Sequence, residues 1–342
     1  MTQWSDVTLN ELGSVERGKS RHRPRNDPQL FGGTMPFFQT GDVKSAVLHV
    51  TAASKYYSEF GIAQSQIWDR GATCITIAAN IAETAVLGRR GCFPDSILGF
   101  TPIHQASDAY FVKYLLDVHR VQLTSVARGT TQDNLSLEKL LSHRFRVPDP
   151  GTRARIAGVL SSYDDLIENN TRRIQILEEM AQTIYREWFV EFRYPGHENV
   201  PLVDSELGPV PEGWQTVRLQ DAVELAYGKA LKADDRNGGP VPVFGSGGLV
   251  GWHDVAIAPG PGIVVGRKGN VGSIYWSDSP FFAIDTTYFV KTKLPSTYVL
   301  YLLKGMEFID SHAAVPGLSR DQAYGLPAIV PDTRTPDIGP PG

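Results

Sequence analysis

Gly13-Ser-Val-Glu-Arg-Gly18-Lys19-Ser20 has the spacing of a Walker A loop, in which backbone amides and the lysine cradle phosphates while the serine hydroxyl binds magnesium. That chemistry needs a strand before the loop and a helix after it. The next residues, Arg21-His-Arg-Pro24-Arg-Asn-Asp-Pro28, cannot open a helix, because two prolines interrupt a polar run. The match therefore reads as a turn after a short first helix, and a P-loop ATPase is the rival reading. Gly245-Ser-Gly-Gly-Leu-Val-Gly251 is one residue out of step with a dinucleotide fingerprint and leads to Trp252-His-Asp, not to a helix. There is no His-Glu-x-x-His, Gly-x-Ser-x-Gly or Asn/Asp-Pro-Pro-aromatic sequence, and the eight histidines are scattered. No catalytic or metal-ligating residue is expected.

The basic clusters suit a polyanion. Arg17, Lys19, Arg21, Arg23 and Arg25 fall on alternate residues, so an extended segment would project all of them to one side. A solvated loop with the same composition is the alternative, since Pro24 and Pro28 favour extension without any ligand. Lys229, Lys232 and Arg236 form a thinner second set, and Gly266-Arg267-Lys268-Gly269-Asn270-Val271-Gly272 reads as a hairpin tip offering two cations or as a mere turn. Arg128, Gln132 and Asn134 lie in one loop rich in hydrogen-bonding groups, with Arg320 and Gln322 in its counterpart. Arginine and lysine contact phosphates or guanine, and amides read adenine edges. Ser136 and Ser319 read as helix N-caps.

Positioning these loops requires folded domains. The chain of 342 residues, 42 % hydrophobic, is long enough for two domains and a connector. Its net charge of −4 gives no global attraction to nucleic acid. Residues 1–150 hold 16 Lys and Arg against 14 Asp and Glu, and residues 200–342 hold 11 against 15, so local clusters would have to hold any polyanion. Cys74 and Cys92 are too few for a disulfide scaffold, and no signal peptide or membrane span is read, which together point to the cytoplasm.

One helix organises the rest. Ile156, Leu160, Tyr163, Ile167, Asn170, Ile174, Leu177, Ala181, Ile184 and Trp188 step by 4, 3, 4, 3 throughout, a heptad seam roughly 60 Å long that needs a second helix to cover it. Asn170 is the polar register position. Around it the chain repeats. Trp4-x-x-Val7-x-Leu9 and Gly18-Lys19 recur as Trp214-x-x-Val217-x-Leu219 and Gly228-Lys229. Pro36–Gly41 matches 242–247, Tyr114-Leu-Leu116 matches Tyr301-Leu-Leu303, Leu135-Ser136 matches Leu318-Ser319, and Val147-Pro148 matches Val330-Pro331, all in order. The expected organisation is α+β: a first domain at 1–150, a coiled-coil helix at 151–193, a Pro/Gly linker at 194–213, a second domain at 214–331 and a disordered Pro-rich tail at 332–342.

This ordered set resembles the specificity subunits of type I DNA restriction-modification enzymes. The resemblance rests on Pro242–Gly248, Gly262–Gly272 and Phe282–Thr287, which look like a target recognition domain, on Pro36–Val43 with the loop ending at Ser136, and on the helix from Arg153 to Val190, which looks like the family's central conserved region. It implies two target recognition domains, of mixed α/β structure with twisted sheets, each reading one half of a split double-stranded DNA target, with the helix as a ruler. It implies a non-catalytic chain that binds two methyltransferase subunits carrying S-adenosylmethionine and a restriction subunit using ATP and magnesium, with no cofactor of its own and no membrane. The family's second conserved helix is not read in Val330–Gly342, so either the chain is truncated and a helix supplied in trans, as in a homodimer through the central helix, covers the seam, or assembly with the methyltransferase subunits is impaired. A coiled-coil scaffold without DNA specificity is the remaining alternative.

Overall fold

The computed structural model describes residues 3–128, 135–308 and 317–332, without the side chains of Val126 and Arg128. It divides into two compact units whose boundary, Gln175/Ile176, falls inside the long helix.

In the first unit the strands are Trp4–Val7 (β1), Gly13–Arg17 (β2), Phe31–Phe37 (β3), His49–Val50 (β4), Lys55–Tyr57 (β5), Ile67–Trp68 (β6), Thr73–Thr76 (β7), Thr84–Leu87 (β8), Gly91–Cys92 (β9), Ile97–Pro102 (β10) and Phe145–Pro148 (β11). The helices are Thr40–Ser45 (α1), Glu59–Ala63 (α2), Ser107–Arg128 (α3) and Leu137–Ser142 (α4). A five-stranded sheet in the order β2-β10-β7-β8-β4 carries the core. β7 and β8 are buried at every residue, as expected of Thr/Val/Ile-rich strands covered on both faces. Ile75, Leu98 and Phe100 pack with Phe111, Val112 and Leu116 of α3 on one face, while Cys74, Ala85 and Ile97 pack with Phe38, Val43 and Trp68 on the other.

The second unit holds Leu202–Val203 (β12), Val210–Pro211 (β13), Gln215–Arg218 (β14), Val223–Tyr227 (β15), Val241–Gly245 (β16), Gly248–His253 (β17), Gly262–Gly266 (β18), Ile274–Ser277 (β19), Phe282–Ala283 (β20), Thr287–Thr292 (β21) and Pro327–Val330 (β22). Its sheet β15-β21-β18-β19 follows β2-β10-β7-β8 of the first, with no counterpart of β4 among the described residues. Ser5 pairs with Val147 and Gln215 with Val330; Gly13 pairs with Pro102 and Val223 with Thr292; Cys74 pairs with Ala85 and Val264 with Tyr275. Even the rarer parallel pairing recurs, as Phe37 with Cys92 and Val243 with Phe282. The duplication is thus a duplication of hydrogen-bond register.

The long helix α5 runs Pro150–Tyr185 and continues through a π-helical turn at Arg186–Val190. Asp149 starts it by accepting from the Thr152 amide and hydroxyl, both at 2.9 Å. Those bonds hold its carboxyl below the usual carboxylate range. At about 1.5 Å per residue its 36 residues extend about 54 Å.

The face that fastens the helix is not the expected seam. In the first unit it is the neighbouring polar stripe of Arg153, Ala157, Asp164 and Glu168. Arg153 forms a buried ion pair with Asp108 of α3 at 2.9 Å, and Asp164 accepts from the Tyr114 hydroxyl at 2.6 Å. One Glu168 oxygen accepts from the Leu48 and His49 amides at 2.9 and 2.7 Å. In the second unit Tyr185 and Phe189 pack against Tyr298, and Phe189 against Trp214. Of the seam, Ile156 and Trp188 join the cores of their units and Ala181 is half-buried, but Leu160, Tyr163, Ile167, Asn170, Ile174, Leu177 and Ile184 are exposed. Among the described residues no second helix covers them, so helical periodicity is present while intrachain coiled-coil pairing is not.

Two further helices, Leu219–Ala222 (α6) and Ser296–Lys304 (α7), support the second sheet. Arg320–Tyr324 (α8) stands where α4 stands in the first unit. Ser136 caps α4 by accepting from the Lys139 amide at 3.2 Å. Ser319 precedes α8 without a side-chain cap bond, which corrects the capping expectation there.

Candidate nucleic-acid interface

The Walker-like segment takes none of the required shape. Gly13–Arg17 is strand β2, paired along its length with β10, and Gly18 extends that pairing by donating to the Ile97 carbonyl at 2.9 Å. The Ser20 hydroxyl is buried within 3.3 Å of the Tyr57 hydroxyl. The amides of this extended edge strand alternate between β10 and the open edge and do not converge as a phosphate loop requires, so both the P-loop reading and the expected post-helix turn give way to a β-strand.

The alternating cations beyond it do not form one extended row either. The chain turns after Ser20, which forms an isolated bridge with Ser65. The Arg23 guanidinium folds back onto the Ser20 and His22 carbonyls at 2.6 and 2.8 Å, and Arg25 bonds both oxygens of Asp95 at 2.8 Å. His22 and Asp27 close the turn at 2.7 Å. The Asp27 carboxyl is held low, first by the Gln29 amide and then by His22. Arg17, Lys19 and Arg21 remain exposed. Beside them a cleft of about 330 Å³ is lined by Arg25, Phe31, Phe37, Gln39 and Lys55, with the Lys55 ammonium 4.9 Å above the Phe31 ring. Lys55 gave no sequence signal, because it is a single cation between Ser54 and Tyr56 with no basic neighbour.

In the second unit Lys229 and Lys232 are exposed, whereas Arg236 donates to the Val250 carbonyl at 2.6 Å and buttresses the β16–β17 hairpin. The Gly266–Gly272 tip joins antiparallel β18 and β19 as expected. Its arginine is only partly presented to solvent. Arg267 is half-buried, donates to the Asp285 carbonyl at 2.7 Å and lies over the rings of Tyr227 and Tyr288 at 5.3 and 5.8 Å. Arg320 reaches the same Tyr227 ring at 5.0 Å, while Lys268 and Gln322 are exposed. Gln132 and Asn134 lie outside the described residues, as does the Arg128 side chain.

The two tips share one backbone. The Thr76 amide donates to Glu83 and the Gly266 amide to Ser273; the Ala82 amide donates to Thr76 and the Gly272 amide to Gly266. Left-handed φ values recur in step, 62° at Ala79 and 81° at Gly269, then 58° at Ala82 and 74° at Gly272. The same outer loop clips onto both, Leu135 donating to the Ile77 carbonyl at 3.0 Å and Leu318 to the Arg267 carbonyl at 2.7 Å. Ile77 and Arg267 therefore occupy one structural position.

Among the described residues, His49, Asp165 and Glu168 are the group whose donor atoms come within 4.8 Å of one another. Both His49 nitrogens are engaged, one with Glu168 at 3.2 Å and the other with the Tyr110 hydroxyl at 3.1 Å. Burial alone would raise the Glu168 carboxyl, but the His49 and Leu48 amides outweigh it and hold it low. This is the hydrogen bonding of a helix anchor.

With this geometry, comparisons become informative. The family described as the type I restriction modification DNA specificity domain matches residues 1–179 and 211–315. The specificity subunit of the type I restriction enzyme MjaIX from Methanocaldococcus jannaschii is 23% identical over 233 residues, covering 66% of this chain and 52% of that protein. The HindI specificity subunit from Haemophilus influenzae is 31% identical over 71 residues, 21% of this chain and 16% of that protein. The chain thus spans about half the length of MjaIX, the longer of these two matches. In fold it is similar to the S subunit of a type I restriction-modification system from M. genitalium, with a TM-score of 0.66 at 16% identity over 96% of this chain and 84% of that one.

Proposed function

This chain belongs to the family of the type I restriction modification DNA specificity domain, and from that premise we propose that it is a sequence-specific DNA-binding subunit whose two units each read one half of a bipartite duplex target. The observation that carries the proposal is the duplicated register, which sets equivalent cation-bearing loops on equivalent sheets. A duplicated framework with unlike tips suits two unlike half-sites, since phosphate contacts fix position while base-edge contacts specify. The sites of contact in this reading are Arg17, Lys19 and Arg21 with the Arg128–Asn134 loop in the first unit, and Lys229, Lys232, Lys268, Arg267, Arg320 and Gln322 in the second.

In this reading the chain does no chemistry. Two methyltransferase subunits bring S-adenosylmethionine and methylate adenine, a restriction subunit brings ATP and magnesium, and the assembly works in the cytoplasm. Helix α5 is the ruler between the readers. Its uncovered stripe at Leu160, Tyr163, Ile167, Ile174 and Leu177 supports pairing with a helix supplied in trans, by a partner subunit or by a second copy of this chain.

Selection from a random pool of duplex DNA tests the function. The full chain, alone and with methyltransferase subunits, should enrich two short sequence blocks separated by a fixed gap at moderate salt. Absence of any enriched bipartite sequence would refute the proposal and leave the scaffold reading.

A further inference from the structure

Tyr227 ends β15 and is half-exposed, and Tyr288 opposite it in β21 is buried, its hydroxyl donating to the Leu318 carbonyl at 3.1 Å. The two rings lie 5.1 Å apart. Burial pushes the Tyr288 phenol up to about 12, so it stays neutral. Both guanidinium groups converge on the Tyr227 ring, and Arg320 also lies 5.8 Å from the Tyr324 ring. The buried Nε of each arginine has no hydrogen-bond partner. Lys229, two residues after Tyr227, and Lys268, next to Arg267 in sequence, are exposed. None of these four cations is in an ion pair among the described residues, although Asp285 and Asp321 are close in sequence. Two guanidinium groups within 5.3 Å of one ring centroid, neither in an ion pair among the described residues, concentrate positive charge that an anion would offset.

Among its described residues the first unit lacks this arrangement. By register and by the clip of the outer loop, Arg17 stands at the place of Tyr227, Leu98 at Tyr288, Ile77 at Arg267 and Leu137, the residue after the α4 cap, at Arg320. Ile77 and Leu98 are core residues there.

We propose that Tyr227, Arg267 and Arg320 form a clamp for DNA backbone phosphate that belongs to the second unit alone, so that this unit supplies the larger share of sequence-independent affinity. The proposal rests on the DNA-binding reading above. Phosphate is favoured over a base edge because the feature is paired positive charge held rigid on an aromatic platform, and a shared oxyanion offsets both cations at once.

Fluorescence anisotropy of the full chain tests it, on a labelled duplex bearing the selected target and on one of unrelated sequence, across a salt series. The Arg267→Gln/Arg320→Gln variant should weaken both duplexes by the same factor. It should also shrink the slope of log affinity against log salt by about 0.9, the value for one phosphate no longer neutralised. A threefold rise in salt then costs the variant about 2.7-fold less affinity than it costs the wild type. Arg267→Lys/Arg320→Lys should keep the slope, and it carries the test if the glutamine pair melts below the assay temperature. An unchanged slope in a folded glutamine pair overturns the clamp. So does a lysine pair that keeps the slope but loses preference at one base pair, which would assign the arginines to a guanine edge. A wild-type chain that binds neither duplex overturns the DNA reading itself and the clamp with it.

Discussion

Replacing Arg153 with Met should loosen α5 from the first unit. The Arg153 and Asp108 side chains are 7% and 0% exposed, and the guanidinium meets the carboxylate through Nε at 2.9 Å and a terminal nitrogen at 3.3 Å. Methionine fills most of the volume but leaves Asp108 with Gln105 as its remaining side-chain donor, at 3.1 Å. Removing one partner of a buried pair costs about 3–5 kcal/mol. At roughly 2–4 °C per kcal/mol for a unit of this size, the first unit should melt about 6–20 °C lower. Because a chain with two cores need not unfold in one step, the assay is calorimetry of the full chain, reading the transition that shifts. The double variant Arg153→Met/Asp108→Leu removes the uncompensated charge and should recover most of the loss. A single variant melting within about 2 °C of wild type, or a double variant no better than the single, would show that the pair does not anchor the helix.

Other outcomes follow from neighbouring contacts. Tyr114→Phe removes the hydroxyl that donates to Asp164 and should cost about 1.5–3 kcal/mol in the same transition, with no effect on the second unit. The depressed Glu168 carboxyl stabilises the first unit above the ordinary carboxylate range and loses that contribution as pH falls through its folded pKa. Glu168→Gln should therefore flatten the fall in first-unit melting temperature on acidification, which a pH series of melts reads directly. Ile174→Asp/Leu177→Asp changes residues 57% and 59% exposed and should shift monomer stability by no more than about 0.5 kcal/mol per site. The same variant should abolish helix-mediated association in sedimentation; association at wild-type strength would exclude the stripe as the interface.

The α+β class and the long helix were legible because both rest on periodicity and on the strand-forming Val/Ile/Thr runs. The matches at Trp4/Trp214 and Val147/Val330 were legible because they are apolar or aromatic positions fixed by the same pairing, β1 with β11 and β14 with β22. The equivalence of Thr76–Ala82 with Gly266–Gly272 was hidden, since of these residues only Asn80 and Asn270 agree in type. What the tips share is the sign of φ and main-chain bonding, which different side chains satisfy equally. The alternation from Arg17 to Arg25 misled because alternation implies one face only while the chain stays extended, and carbonyls and Asp95 captured two of the cations. The seam identified the helix but not its docking face, as Arg153, Asp164 and Glu168 are charged and hydropathy assigns such residues to solvent. The tyrosine platform went unread because its members are separated in sequence and meet only through β-pairing.

The tip that exposes Lys268 in one unit and carries Ala78 in the other has a consequence for how such a molecule diversifies. Its shape is locked by main-chain bonds and by left-handed positions filled by alanine in one copy and glycine in the other. The side chain at one tip position, Ala78 or Lys268, belongs to neither core and can thus be exchanged without disturbing the sheet below, whereas Ile77, Ile81 and Val271 pack on the cores. Mutational drift at that position is decoupled from the folding of the domain, and a new binding preference can arise there in one copy while the other keeps its own.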